Sequence, residues 1–277
     1  MLKYLILSSM LMMSPAYAAL LPAQVVLEKT AERAGASSTI IEQMVSFHDG
    51  DQVYQVREIW TISSPKLMKL QFQSVSGNWG GQVLYNNGQR MQALDGKRNS
   101  RPMGPDVYEG MFSTRSADQL MEMLSKWGIS FPLKNPPVAK EGNKLLITSP
   151  TGMRLSRSQG VVTYAFGEKS KAEATSLNPQ LWIEQDQWVI RKLRLASRVQ
   201  VRADDYQEWS KGFFYPQVKR LNWNKYEAVI AVTKASSRNN LPAGYFAANR
   251  LETSTHIDLP DASPLRLQVE EFYSRFR

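Results

Sequence analysis

From Thr39 to Lys234 the sequence alternates short runs of β-branched and aromatic residues with tight-turn signals, and no other feature limits its fold as strongly. Thr39–His48 and Val53–Ile62 flank Asp49-Gly50-Asp51, a hairpin pattern. Lys66–Val75 and Gln82–Leu84 continue it across Gly77, Gly80 and Gly81, which read as turn or bulge glycines because no helix start follows them. A second series runs through Lys144–Ser149, Met153–Ser158, Val161–Phe166, Gln180–Glu184, Trp188–Ser197, Gln200–Trp209, Phe213–Trp223 and Tyr226–Lys234. Lengths and spacing predict one continuous antiparallel sheet of about ten to twelve strands.

Three helices accompany it. Pro22–Ala34, stopped by Gly35, carries Val25, Val26, Ala31 and Ala34 at helical spacing. Ser116 and Gln119 form a capping-box pair ahead of Leu120, Met123, Leu124 and Trp127, with Gly128 as terminator. Ser263-Pro264 opens a third helix whose face holds Leu265, Val269, Phe272 and Phe276. Asp95–Gly110 and Phe131–Pro137 read as irregular, the first as a long loop of the kind that is functional or mobile. The chain shows neither an internal repeat nor a linker.

The first residues, MLKYLILSSMLMMSPAYA, place one lysine before an apolar run and close on Ala16-Tyr17-Ala18, as in a secretory signal cleaved after Ala18. Leu5–Met13 is too short to span a bilayer as an anchor, and residues 19–277 hold no apolar run of the length a membrane helix needs. They are expected to form a single domain in the periplasm. The absence of cysteine excludes disulfides, a thiol nucleophile and an N-terminal lipid anchor. The net charge is +9, of which Lys3 contributes one, leaving +8 for residues 19–277. In an exported protein that sign favours anionic lipid or acidic protein surfaces over nucleic acid.

Catalytic patterns are missing. Only His48 and His256 are available, so a His-based metal site or a triad would have to use one of them alone. Asp204-Asp205 and Glu270-Glu271 are adjacent pairs, poorly placed for acid and base roles, and there is no G-x-S-x-G, P-loop or H-E-x-x-H. The expectation is a binding protein without cofactor or metal, not an enzyme. Seven Trp, ten Phe, eleven Tyr and twelve Met suit a core, or the wall of an apolar cavity.

The segment REIWTISSPKLMKLQFQS, followed by VLYNNGQRMQALDGK, resembles the second-to-fourth strand region of the LolA-like lipoprotein-carrier and sorting family, with Trp60, Pro65 and Asn87-Gly88 at the expected places. LWIEQDQWVIRKLRL and FFYPQVKRLNWNKYEAVIAV resemble later hairpins of that family, so that about two thirds of residues 19–277 take part. Where the dedicated carrier has an arginine before the proline, implicated in passing cargo onward, this chain has Ser64. The resemblance implies a mainly β, α+β fold: an incomplete antiparallel barrel of about eleven strands, with helices covering a concave apolar face. It implies a monomeric periplasmic carrier of lipid or lipoprotein acyl chains in outer-membrane lipoprotein sorting, with membrane-associated donor and acceptor proteins. An envelope-stress sensor of the RseB type, or a protein-interaction module, is the alternative on the same fold.

Candidate cavity residues are Trp60, Leu70, Phe72, Leu120, Trp127, Trp182 and Trp188. Candidate headgroup contacts are Arg191, Lys192, Arg194, Arg198 and Arg202, against the alternative of a solvated strand face. Helix Ser116–Trp127 is the candidate lid. In QLWIEQDQWVIRKLRL, alternation puts Val189, Leu193 and Leu195 on one face and Trp188, Ile190, Lys192 and Arg194 on the other.

Overall fold

The computed structural model describes residues 20–94, 97–130, 138–141, 144–147, 152–169, 177–254, 259 and 263–277. The export signal with its cleavage site, Phe131–Pro137 and His256 lie outside the described residues.

Helix α1 (Ala23–Glu32) leads into β1 (Ser38–Asp49), β2 (Gln52–Ser64), β3 (Leu67–Ser74), β4 (Gly80–Asn86), β5 (Gln89–Leu94) and β6 (Lys97–Pro102), each antiparallel to the next. A short 3-10 helix (Glu109–Ser113) and α2 (Ala117–Lys126) follow, then β7 (Val138–Glu141) and β8 (Lys144–Ile147), which pair as a separate two-stranded sheet. The second meander comprises β9 (Met153–Ser158), β10 (Val161–Phe166), β11 (Gln180–Glu184), β12 (Ile190–Arg194), β13 (Gln200–Ser210), β14 (Phe213–Trp223) and β15 (Tyr226–Arg238). Two-residue β16 (Thr253–Ser254) pairs parallel to β5, and α3 (Pro264–Arg275) completes the order.

One long-range pairing unites the meanders. β1 lies between β2 and β15, giving a 14-stranded sheet that runs from β16 to β9 and does not close. This is the expected incomplete barrel with helices, with more strands than the eleven anticipated. Register follows the period-2 rule: in β1, Ile41, Gln43, Val45 and Phe47 are buried while the residues between them are not. Asn87 and Gly88 join β4 to β5 at φ 48° and 81°, the left-handed pair that a tight hairpin turn needs.

Three local expectations change. Asp95–Gly110 is not one loop: β6, KRNSRP, is a fully exposed edge strand held by backbone pairing to β5, so it carries no apolar pattern to read. The strand expected from Trp188 begins at Ile190, because Trp188 has φ 59° and ends the turn instead. Ser116 occupies the N-cap of α2, but no side-chain cap hydrogen bond forms there.

The helices pack on one face of the sheet, here called the inner face. α1 buries Val26, Leu27, Thr30 and Ala31, and α2 buries Ala117, Leu120 and Leu124. α3 contributes Leu265, Val269, Phe272 and Phe276 as expected, and adds Gln268 and Tyr273. Its aromatic rows engage both meanders: Phe272 meets Phe47 edge-on at 5.0 Å, Tyr273 lies 5.0 Å from Phe72, and Phe276 is 5.3 Å from Trp223. Arg90 and Arg101 secure the end of α3 by donating to its carbonyls, at 2.6 Å to Arg277 O and 2.6 Å to Ser274 O.

Candidate functional site

Trp60, Leu70 and Phe72 are brought together by register, Trp60 opposite Leu70 on β2 and β3 with Phe72 two residues on. They do not line an empty cavity. Trp60 stacks on Tyr85 and carries the Arg277 guanidinium 5.3 Å from its ring, while Phe72 is packed by Trp79 and Tyr273. Leu120 is fully buried in the same core. Around these residues the inner face is packed by α3 and its partners.

The other candidates separate. Trp188 is half-buried and stacks on Tyr164 at 5.9 Å. Trp182 is buried but faces away from the helices: its strand neighbours Leu181 and Ile183 join the main core, whereas Lys192 and Arg194 lie over its ring at 4.6 and 5.3 Å. An irregularity in register between Trp182 and Ile183 breaks the simple alternation, so that Ile190 turns inward away from Lys192. Arg194 is 1% exposed and Arg191 is bonded to Glu184, so neither presents a free charge to a surface. Arg198, in the turn at φ 65°, and Arg202 remain exposed.

The inner face also holds a group of charges that the sequence reading missed. Glu58 accepts from Gln43 Nε2 at 2.6 Å, from Trp60 Nε1 at 3.1 Å and from Arg277 Nε at 3.0 Å. Lys219 donates to Glu109 and, at 2.8 Å, to Tyr215 Oη; Arg277 Nη2 faces Glu109 Oε2 at 3.7 Å. All four charged side chains are fully buried, two carboxylates against two cations. Burial works against the Glu109 charge, but Lys219 and Arg277, with hydrogen bonds from Lys219 and Tyr215, hold its carboxyl below the usual range. For Arg277 burial is likewise outweighed, by Glu58, Tyr108 and Glu109, and its pKa rises well above the ordinary arginine value. The available sequence signal was the inward parity of Glu58 between Val56 and Trp60, and of Lys219 between Tyr215 and Leu221.

A solvent-reaching site lies beside this core. A groove of about 550 Å³ opens between α2, the start of β3, the β4–β5 turn and segment 103–110. Met68, Met103, Val107, Met123 and Trp127 give it an apolar, adaptable wall. Lys66 and Lys126 stand at its edge, both paired to Glu122 at 2.9 and 3.5 Å. Trp127 is the one sequence candidate among its lining residues, fixed by donation from Nε1 to Pro105 O at 2.8 Å. Gly110 packs closely here: a Cβ would stand 3.0 Å from Pro65 Cα and 3.2 Å from Met68 Sδ.

Among the described residues no group of three or more His, Asp or Glu is placed to hold a metal ion, and no helix is long and apolar enough to cross a membrane. No protein-family model matches the sequence, and no curated protein does. Solved structures do match in fold. A LolA superfamily protein from Nitrosomonas europaea superposes with TM-score 0.53 at 12% identity, over 82% of this chain and 98% of its own. A DUF1329 family protein from Desulfovibrio piger gives 0.52 at 11%, over 84% and 100%, and an outer membrane lipoprotein-sorting domain from Vibrio parahaemolyticus gives 0.50 at 7%, over 82% and 97%. The chain has a LolA-like fold.

Proposed function

We propose that this protein is an exported carrier, cut after Ala18 and acting as one domain in the periplasm, that holds an acyl chain of a lipid or lipoprotein in the groove beside α2 during traffic to the outer membrane. The observation that carries this reading is the groove itself: methionines and Trp127 along the wall, lysines at the edge, and a volume within the range of small-ligand sites. Ten methylenes buried there contribute about 8 kcal/mol before association costs, enough for reversible binding without a covalent step. Helix α2 is the wall assigned to open, since Met123 and Trp127 are only partly buried and the Trp127–Pro105 hydrogen bond that ties it to the opposite wall is a single neutral one. Catalysis is not part of the proposal, since the interior carboxylates are fully enclosed and already committed to cations.

The test uses the seven tryptophans as reporters. A brominated fatty acid is expected to quench part of the fluorescence in wild type and much less in Trp127→Phe. Native mass spectrometry of freshly purified protein should show a co-purifying lipid. Absence of both signals would overturn the reading, and one stoichiometric envelope protein recovered without lipid would replace it with an interaction role.

A further inference from the structure

Segment 103–110 serves two sites with different residues. Met103, Gly104, Pro105, Val107 and Gly110 line the groove, whereas Asp106 and Glu109 point the other way, into contacts with the end of α3. Asp106 Oδ2 accepts from Arg275 Nε at 2.6 Å, and its Oδ1 accepts from Ser197 Oγ at 2.6 Å. Arg275 also donates to Ser197 O at 3.3 Å and to Glu271 at 3.1 Å. Three residues on, Glu109 meets Arg277 and Lys219 in the interior. The groove wall is thus a single strip of backbone whose reverse side is bound to α3, β14 and the β12–β13 turn.

We infer that Asp106 and Glu109 are positioning residues for the groove, and that the seating of α3 controls its affinity for an acyl chain. The inference rests on the acyl-carrier reading and names its regulation. With Arg275 on Asp106, residues 103–107 hold Met103 and Val107 against the cavity. When that contact is lost, the strip between Pro102 and Glu109 keeps only neutral donors, Ser197 on Asp106, Trp127 on Pro105 O and its own Met103 N–H on Gly88 O, and the Val107 side of the wall loosens against Met68 and Met123. Because coupling between two sites is reciprocal, a chain in the groove tightens the seating of α3 by the same factor.

The experiment uses the full chain and a pyrene-labelled hexadecanoic acid, with hydrogen exchange of α3 amides followed in parallel. Arg275→Gln and Asp106→Asn are each expected to weaken binding about tenfold, and the double variant to be no weaker than either single one, since both remove one contact. In wild type the probe slows exchange across α3; in Asp106→Asn it binds, at higher concentration, without slowing it. If the probe fails to bind wild type, the carrier reading falls and the coupling with it. If the probe binds wild type and both variants equally, or leaves α3 exchange unchanged in wild type, the coupling alone is overturned.

Discussion

Arg277 reaches across 219 positions of sequence to donate its Nε to both carboxylate oxygens of Glu58, at 3.0 and 3.2 Å, with both side chains fully buried. A buried ion pair of this kind adds little net stability, but removing one partner strands the other. Arg277→Met is expected to cost about 3–5 kcal/mol, leaving Glu58 and Glu109 against Lys219 alone. Glu58→Gln combined with Arg277→Met should recover most of that, because Gln keeps an acceptor for Trp60 and Gln43 and the interior is again balanced. Urea midpoints at constant m-value decide this, and a double variant no more stable than the single one would contradict it.

Glu109 links stability to pH. Its carboxyl is held below the ordinary value, so the native state binds the proton more weakly than the unfolded chain. The resulting stabilisation is present above about pH 4.5 and is lost as pH falls through the native value. Glu109→Gln should therefore be less stable than wild type at pH 7 by about 3–5 kcal/mol, with the gap closing at lower pH. Unfolding free energies at pH 7, 5 and 3 check this; a gap that widens on acidification would refute the assignment.

Met123 and Leu120 share α2 but point to different places, one to the groove and one to the core. Met123→Glu is expected to lower affinity for an acyl probe at least tenfold while costing only about 1 kcal/mol of stability. Leu120→Ala should cost about 2–5 kcal/mol in stability. Parallel titration and denaturation of the two variants test the separation.

Gly167 and Gly212 both have positive φ, 96° and 73°, but only at Gly167 would a Cβ collide, 2.4 Å from Pro179 O. Gly212→Ala is expected to cost about 1–2 kcal/mol from backbone strain alone, and Gly167→Ala clearly more. Equal shifts in melting temperature would show that Pro179 yields without cost.

The strands were legible because β1 and β2 obey period 2 and their turns contain the residues that tight turns need. β6 was not, since an exposed edge strand is specified by its partner's backbone and leaves no apolar imprint. The surroundings of Trp60, Leu70 and Phe72 are hidden from the sequence for a different reason. All three are buried and apolar, but only tertiary structure shows Tyr273 packed on Phe72 and Arg277 over Trp60. Trp182 alternates with Leu181 and Ile183, which join the core, so its ring lies on the opposite face under Lys192 and Arg194. The groove is contributed by four separate elements, so only Met123 and Trp127, on the stripe of the amphipathic helix and its C-cap, carried a signal.

The distance in sequence between Glu58 and Arg277 also orders events in time. Synthesis delivers Glu58, Glu109 and Lys219 long before Arg277, so the emerging chain holds two interior carboxylates and one cation. The inner face therefore cannot be both closed and neutral before Arg277 joins it, and the β1–β15 pairing likewise joins distant parts of the chain, so closure of this face waits on contacts whose loop-closure entropy is the largest in the fold.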